Sequence, residues 1–192
     1  MSEMLRRRVN NMDSRLIIAG FGGQGVLAIG KLLTYAGMLE DKQVSWLPSY
    51  GPEMRGGTAN CSVVISSEPV ASPLVTEATS AIVMNRPSLD KFEKDIVPNG
   101  KLLINSSLIE RKTTRTDIAA YYIPANEIAN DLGNPKVANM VMLGAMLEAE
   151  SVVAEDSVLE AFKKVFGENK AKLIPINQEA MRAGAKAVQE QR

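Results

Sequence analysis

Short runs of consecutive apolar residues alternate along this chain with longer stretches in which apolar positions recur every three or four residues. Arg15–Ala19, carrying Leu16, Ile17 and Ile18, has the pattern of a short buried strand closed by Gly20. From Gln24 to about Glu40 the spacing becomes helical, with Val26, Leu27, Ile29, Leu32, Leu33, Tyr35, Ala36 and Leu39 forming a wide apolar face. Gln43–Leu47 and Thr58–Ser66 are predicted as the second and third strands, followed by Ser80–Met84, Lys101–Asn105 and Ala120–Ile123. In the third, Cys61, Val63 and Ile65 share one face and Asn60, Ser62 and Ser66 the other, with Val64 an apolar exception on the polar side. Pro87–Val97 has Leu89, Phe92 and Ile96 spaced for a helix, ended by the turn residues Pro98-Asn99-Gly100. Asn134–Pro135 supplies a cap and a first-turn proline for a helix to about Glu150. Two more helices fit Glu155–Phe166 and Asn177–Gln189, separated by Gly167 and Pro175.

Strands alternating with helices predict an α/β fold: a single-domain Rossmann-like sandwich over residues 15–192, with a mainly parallel sheet and helices on both faces. The third strand is expected to run antiparallel, because no crossover helix fits between Leu47 and Thr58. A chain of 192 residues can bury one substantial core. Residues 1–14, which include Arg6, Arg7 and Arg8, are expected to form a flexible N-terminal segment.

Composition narrows the chemistry. Basic and acidic residues balance at 22 each, which argues against nucleic acid as a partner. No apolar run has the length of a spanning helix and no secretory pattern precedes the first strand, so a cytoplasmic protein without membrane contact is expected. The chain has no histidine and one cysteine. A serine or cysteine nucleophile would lack its usual base, and a single cysteine cannot replace the roughly four that hold an iron–sulfur cluster. No catalytic residue and no metal ligand is therefore assigned.

Two segments are loaded with turn chemistry. Gly20-Phe21-Gly22-Gly23-Gln24-Gly25 joins the first strand to the first helix and matches the spacing G-x-G-x-x-G. Such a turn lets backbone N–H groups and a helix N-terminus approach an anion. It equally serves as a tight packing turn. The acidic residue that binds ribose in dinucleotide sites is missing, since the second strand runs Val44-Ser45-Trp46-Leu47-Pro48. The other segment is Pro48-Ser49-Tyr50-Gly51-Pro52-Glu53-Met54-Arg55-Gly56-Gly57-Thr58, whose prolines and glycines specify its shape around an aromatic ring, a carboxylate and a guanidinium. If the first three strands adjoin, it leaves the same sheet edge as the glycine turn, where α/β sheets bind ligands.

Gly20–Val26 followed by Ser49–Gly57 resembles the gamma subunit of 2-oxoacid:ferredoxin oxidoreductases, and the resemblance continues through Asn60–Ser66, Asn85–Leu89, Asn99–Ser107 and Asn134–Gly144. It implies an assembly that oxidatively decarboxylates a 2-oxoacid with coenzyme A and reduces ferredoxin. Thiamine diphosphate and iron–sulfur clusters would sit in partner subunits, with alpha, beta and ferredoxin-like subunits and an external ferredoxin as partners. A homodimer is the alternative association for the isolated chain. Trp46–Tyr50 and Thr58–Cys61 look most like the 2-oxoglutarate branch, ahead of branched-chain and pyruvate enzymes. For coenzyme A, the candidate contacts are Gly22, Gly23, Gln24 and Gly25 in the turn, with Tyr50, Glu53, Arg55, Gly56, Gly57 and Thr58 in the loop. Adenine and phosphates suit an aromatic ring, a guanidinium and helix N-terminal amides.

Two other features complete the reading. Cys61 is expected to be a small core residue. Asn134–Ala149 is apolar on nearly every side from Val137 to Leu147, and is expected to bury itself against a partner, where Asn139 would need a hydrogen-bond partner. A freestanding nucleotide-binding oxidoreductase and a non-enzymatic assembly module are the competing functions.

Overall fold

A computed structural model describes residues 13–49 and 58–192. Six strands, β1 (Ser14–Phe21), β2 (Gln43–Ser49), β3 (Thr58–Ser66), β4 (Ala78–Val83), β5 (Ile96–Asn105) and β6 (Ala119–Ile123), form one sheet in the order β2-β3-β1-β4-β5-β6. β1, β4, β5 and β6 pair in parallel, while β3 is antiparallel to both β1 and β2. The short connection between β2 and β3 leaves no room for a crossover, so the antiparallel strand falls where expected. Among the described residues the helices are α1 (Val26–Leu39), α2 (Arg86–Phe92), α3 (Ala125–Asp131), α4 (Ala138–Ala149), α5 (Glu155–Phe166) and α6 (Ile174–Gln189). None of them is long and apolar enough to cross a membrane.

The sheet divides the core in two. Leu16 and Ile18 of β1 and Cys61, Val63 and Ile65 of β3 face a thick layer that includes α1, α4, α5 and α6. Ile17, Ala19 and Val64 face the thinner side, with Leu89 and Phe92 of α2. Val64 thus has its own apolar company, which explains the exception in the alternation of β3.

Several boundaries differ from expectation: β1 already begins at Ser14, β4 runs Ala78–Val83, and a 3₁₀ turn at Pro135–Val137 precedes α4. α2 ends at Phe92, followed by a 3₁₀ turn at Glu93–Asp95, and Ile96 opens β5. Ile96 is 2% exposed and paired with Ala78, so burial as a strand residue outweighs its helical spacing. The Pro98-Asn99-Gly100 turn survives inside β5 as an irregularity, with Asn99 at φ 64° and its N–H donating to Asp117 O. α6 begins at Ile174 and takes Pro175 in its first turn, where a missing N–H costs no helical bond. α3, with seven residues, is too short to establish a period in the sequence.

The expectation that α4 lies against a partner is corrected. Val141, Met142, Leu143, Ala145 and Met146 are all fully buried within the chain's own core. α6 covers α4 at backbone contact: a Cβ on Gly144 would lie 1.9 Å from Met181 O, and one on Gly184 1.9 Å from Val141 O. At the end of α4, the Glu150 carboxylate accepts from Ser14 Oγ (2.8 Å) and from Ser80 Oγ, tying the helix to β1 and β4. An all-round apolar helix here is a central helix.

This packing is directly testable. Gly184→Ala forces the two helices apart and should destabilise by about 2 kcal/mol or more, on the scale of overpacked cores. Met142→Glu should unfold the domain, because it buries an unpaired charge. Met38→Glu, at a 55% exposed position, should leave thermal unfolding unchanged. Equal melting temperatures for wild-type and Gly184→Ala would contradict the close crossing.

Candidate functional site

β1, β4, β5 and β6 end at one edge of the sheet, and there the chain makes its unusual turn. Gly23 and Gly25 adopt φ of 91° and 75°, in the left-handed region that glycine tolerates best. Gln24 staples the turn. Its Oε1 accepts from the Phe21 N–H (2.6 Å) and from Asn85 Nδ2 (3.4 Å), and its Nε2 donates to Met84 O (3.3 Å). Asn85 in turn accepts from the Ser88 N–H (2.9 Å) and caps α2. The Gln24 side chain is therefore a brace, and the turn offers its backbone. α1 starts at Gly25 with no side-chain cap and no acidic residue in its first turn, leaving its amides for water or a ligand.

Ser49 pairs with Asn60 and Thr58 pairs with Phe21, so both ends of the Tyr50–Gly57 segment are anchored at this same edge. Tyr50, Glu53, Arg55, Gly56 and Gly57 themselves lie outside the described residues, and Thr58 is described in its backbone alone. The glycine turn is a wall between two recesses. On one side, a recess of about 220 Å³ is bounded by Phe21, Gly22, Val26, Leu27 and Ala59. On the other, a recess of about 170 Å³ is bounded by Gly23, Gln24, Gly25, Asn126, Lys136 and Asn139. No carboxylate lines either recess among the described residues.

Lys136, Asn126 and Asn139 were not anticipated as site residues. The sequence showed Asn134–Pro135 as a helix start, and Asn134 Oδ1 does accept from the Lys136 N–H (3.2 Å). That cap holds Lys136 at the mouth of the recess. Asn139 packs on Gly25, where a Cβ would meet its Nδ2 at 2.5 Å. Asn126 Oδ1 accepts from the buried Asn105 Nδ2 (2.8 Å), and its backbone N–H donates to Ser107 Oγ (3.0 Å).

Cys61 is fully buried and donates to Val26 O at 3.6 Å. Burial pushes its thiol up to about 12. As the chain's one cysteine, held neutral in the core, it does not fit a cluster ligand set.

The chain belongs to the pyruvate ferredoxin/flavodoxin oxidoreductase family, whose pattern it matches over residues 15–187. It is 42% identical to the ketoisovalerate oxidoreductase subunit VorA of Methanothermobacter thermautotrophicus over 179 residues, 93% of this chain and 37% of that protein. It thus spans just over a third of the length of that relative. The 2-oxoglutarate synthase subunit KorC of Methanocaldococcus jannaschii is 37% identical over 161 residues, which cover 82% of this chain and 86% of that one. The crystal structure of the keto/oxoacid ferredoxin oxidoreductase gamma subunit from Geobacter sulfurreducens PCA superposes with a TM-score of 0.77 at 27% identity. That match covers 92% of this chain and 99% of the Geobacter chain.

The state of Cys61 gives a clear expectation. A thiol held up to about 12 is neutral at pH 8, so alkylating reagents should modify Cys61 only as fast as the domain unfolds. Above the ordinary thiol range the unfolded chain binds fewer protons than the folded one, so this group lowers stability as pH rises toward 12. Rapid alkylation of the folded chain would contradict a core role.

Proposed function

We propose that this chain is the gamma subunit of a multi-subunit 2-oxoacid:ferredoxin oxidoreductase, working in the cytoplasm and inactive alone. The overall reaction joins a 2-oxoacid and coenzyme A into acyl-CoA and carbon dioxide while two electrons pass to ferredoxin. Near-complete mutual coverage with a solved gamma subunit is the observation that carries this reading. The chain's own inventory agrees with a division of labour, because one buried cysteine leaves the iron–sulfur clusters to other subunits. Thiamine diphosphate, in a partner subunit, supplies the electron sink for decarboxylation. On this reading residues 15–192 carry the gamma domain.

The 2-oxoacid is 2-oxoglutarate on this reading, supported by relatives of similar length among 2-oxoglutarate synthase subunits. A branched-chain acid is the second reading, favoured by the 42% identity to a ketoisovalerate enzyme subunit. The chain's contribution is to assembly and to coenzyme A. Backbone amides at Gly22–Gly25 and the first turn of α1 would face phosphate. Tyr50 and Arg55, with Glu53, Gly56, Gly57 and Thr58 shaping the loop, would complete the contact.

In the enzyme assembled by co-expression, Arg55→Ala should raise the KM for coenzyme A roughly ten- to a hundredfold, the worth of a charge-assisted hydrogen bond. The KM for the 2-oxoacid should not move. Unchanged coenzyme A kinetics in a fully assembled variant would remove Arg55 from the pocket. The purified chain should show no 2-oxoacid-dependent ferredoxin reduction, and turnover by the chain alone would overturn the subunit reading.

A further inference from the structure

β5 and β6 run parallel, and the crossover between them, residues 106–118, contains no helix. Parallel neighbours are usually joined by a helix that packs an apolar face on the sheet. Here Ile109 is the one fully buried side chain of the stretch, with Ile118 partly buried against the thin-side core. Polar contacts hold the rest, and they converge on Glu93, in the 3₁₀ turn after α2. Glu93 Oε1 accepts from Arg111 Nη2 (2.7 Å) and Oε2 from Thr113 Oγ1 (2.9 Å). Its backbone O accepts from Arg115 Nη1 (2.9 Å), which also reaches Ile96 O (3.0 Å). Arg111 adds an ion pair with Asp90 (2.8 Å), and the Thr113 N–H donates to the Tyr122 hydroxyl (3.2 Å). With its side chain 14% exposed, Glu93 is better shielded from water and salt than a surface pair. At its other end the stretch reaches the carboxyl edge. Ser107 Oγ accepts from the N–H groups of Asn126 (3.0 Å) and Glu127 (3.4 Å) and donates to Glu127 Oε2 (2.7 Å). α3 follows Pro124 with no side-chain cap of its own, so its cap comes from the crossover.

We infer that residues 106–118 form a strap that opens as a unit, that Glu93 latches it, and that its closing sets α3 in place through Ser107. Segments with few buried apolar contacts open below the cost of global unfolding. Charge-assisted bonds gathered on one carboxylate place the closing energy there, so losing that carboxylate releases Arg111 and Thr113 together. Asn126 carries the link onward, with its N–H on Ser107 and its Oδ1 on Asn105 (2.8 Å), in the lining of a carboxyl-edge recess. A ligand or partner that requires α3 in place therefore closes the strap, and opening the strap weakens that binding by the same factor.

The test is native-state hydrogen exchange on the full chain at low denaturant. The amides of Thr113, Arg115 and Asn126, each bonded to a side-chain oxygen, should share one opening that depends little on denaturant. That opening should be more frequent than the global one reported by Ala81 and Ile82 in β4. Glu93→Ala should speed exchange at all three amides about tenfold or more, the worth of a charge-assisted hydrogen bond. Arg111→Ala, which leaves Glu93 bonded to Thr113, should speed it by a smaller factor. Ser107→Ala should speed Asn126 and leave Thr113 and Arg115 as they are. Wild-type exchange at Thr113 and Arg115 that follows the global opening overturns the strap. Rates unchanged in both Glu93→Ala and Arg111→Ala overturn the latch. An Asn126 rate that stays fixed while Glu93→Ala speeds Thr113 and Arg115 overturns the link to α3.

Discussion

The rest of the structure depends on the fit of α4, which is closely packed at its first turn and at its middle. Near its start Asn139 occupies the space a side chain at residue 25 would need, and at its middle the backbone of α6 lies where a Cβ on Gly144 would go. Past its end Glu150 is hydrogen-bonded to Ser14 and Ser80. A helix held at both ends and in the middle makes a rigid beam under the sheet. The carboxyl edge inherits that rigidity, because the beam's first turns form one wall of the polar recess and the glycine turn forms the other.

Much of this was legible in the sequence, and the failures have physical causes. Strands stood out as short apolar runs between turn residues, and the antiparallel β3 followed from the length of a connection. The pattern of α4 does not tell a helix enclosed by its own domain from one enclosed by a partner, since both are apolar all round. Ile96 was placed in a helix by its spacing from Leu89 and Phe92, whereas the structure gives it to β5, where burial beside Ala78 decides. At the candidate site the glycine turn was visible because its motif is local. Lys136, Asn139 and Asn126 were not visible, since only the crossovers of the fold bring residues a hundred positions away to Gly25.

The chemistry of the edge fits a subunit that holds a substrate handle and leaves the reaction to others. Its described lining has donors and no carboxylate, and Gln24 spends its side chain on bracing instead of binding. The one thiol is locked in the core behind β3, with burial keeping it neutral. Binding that positions a remote part of a substrate contributes through orientation, and needs no catalytic side chain at the point of contact.

Hydrogen exchange on the assembled enzyme, with and without coenzyme A, tests the central claim most directly. The account predicts slowed exchange over the Gly20–Ala28 turn and the Tyr50–Thr58 loop of this chain when coenzyme A is present, with α6 and the amino edge of the sheet unchanged. Slowed exchange confined to other subunits, with those two segments unaltered, would contradict it.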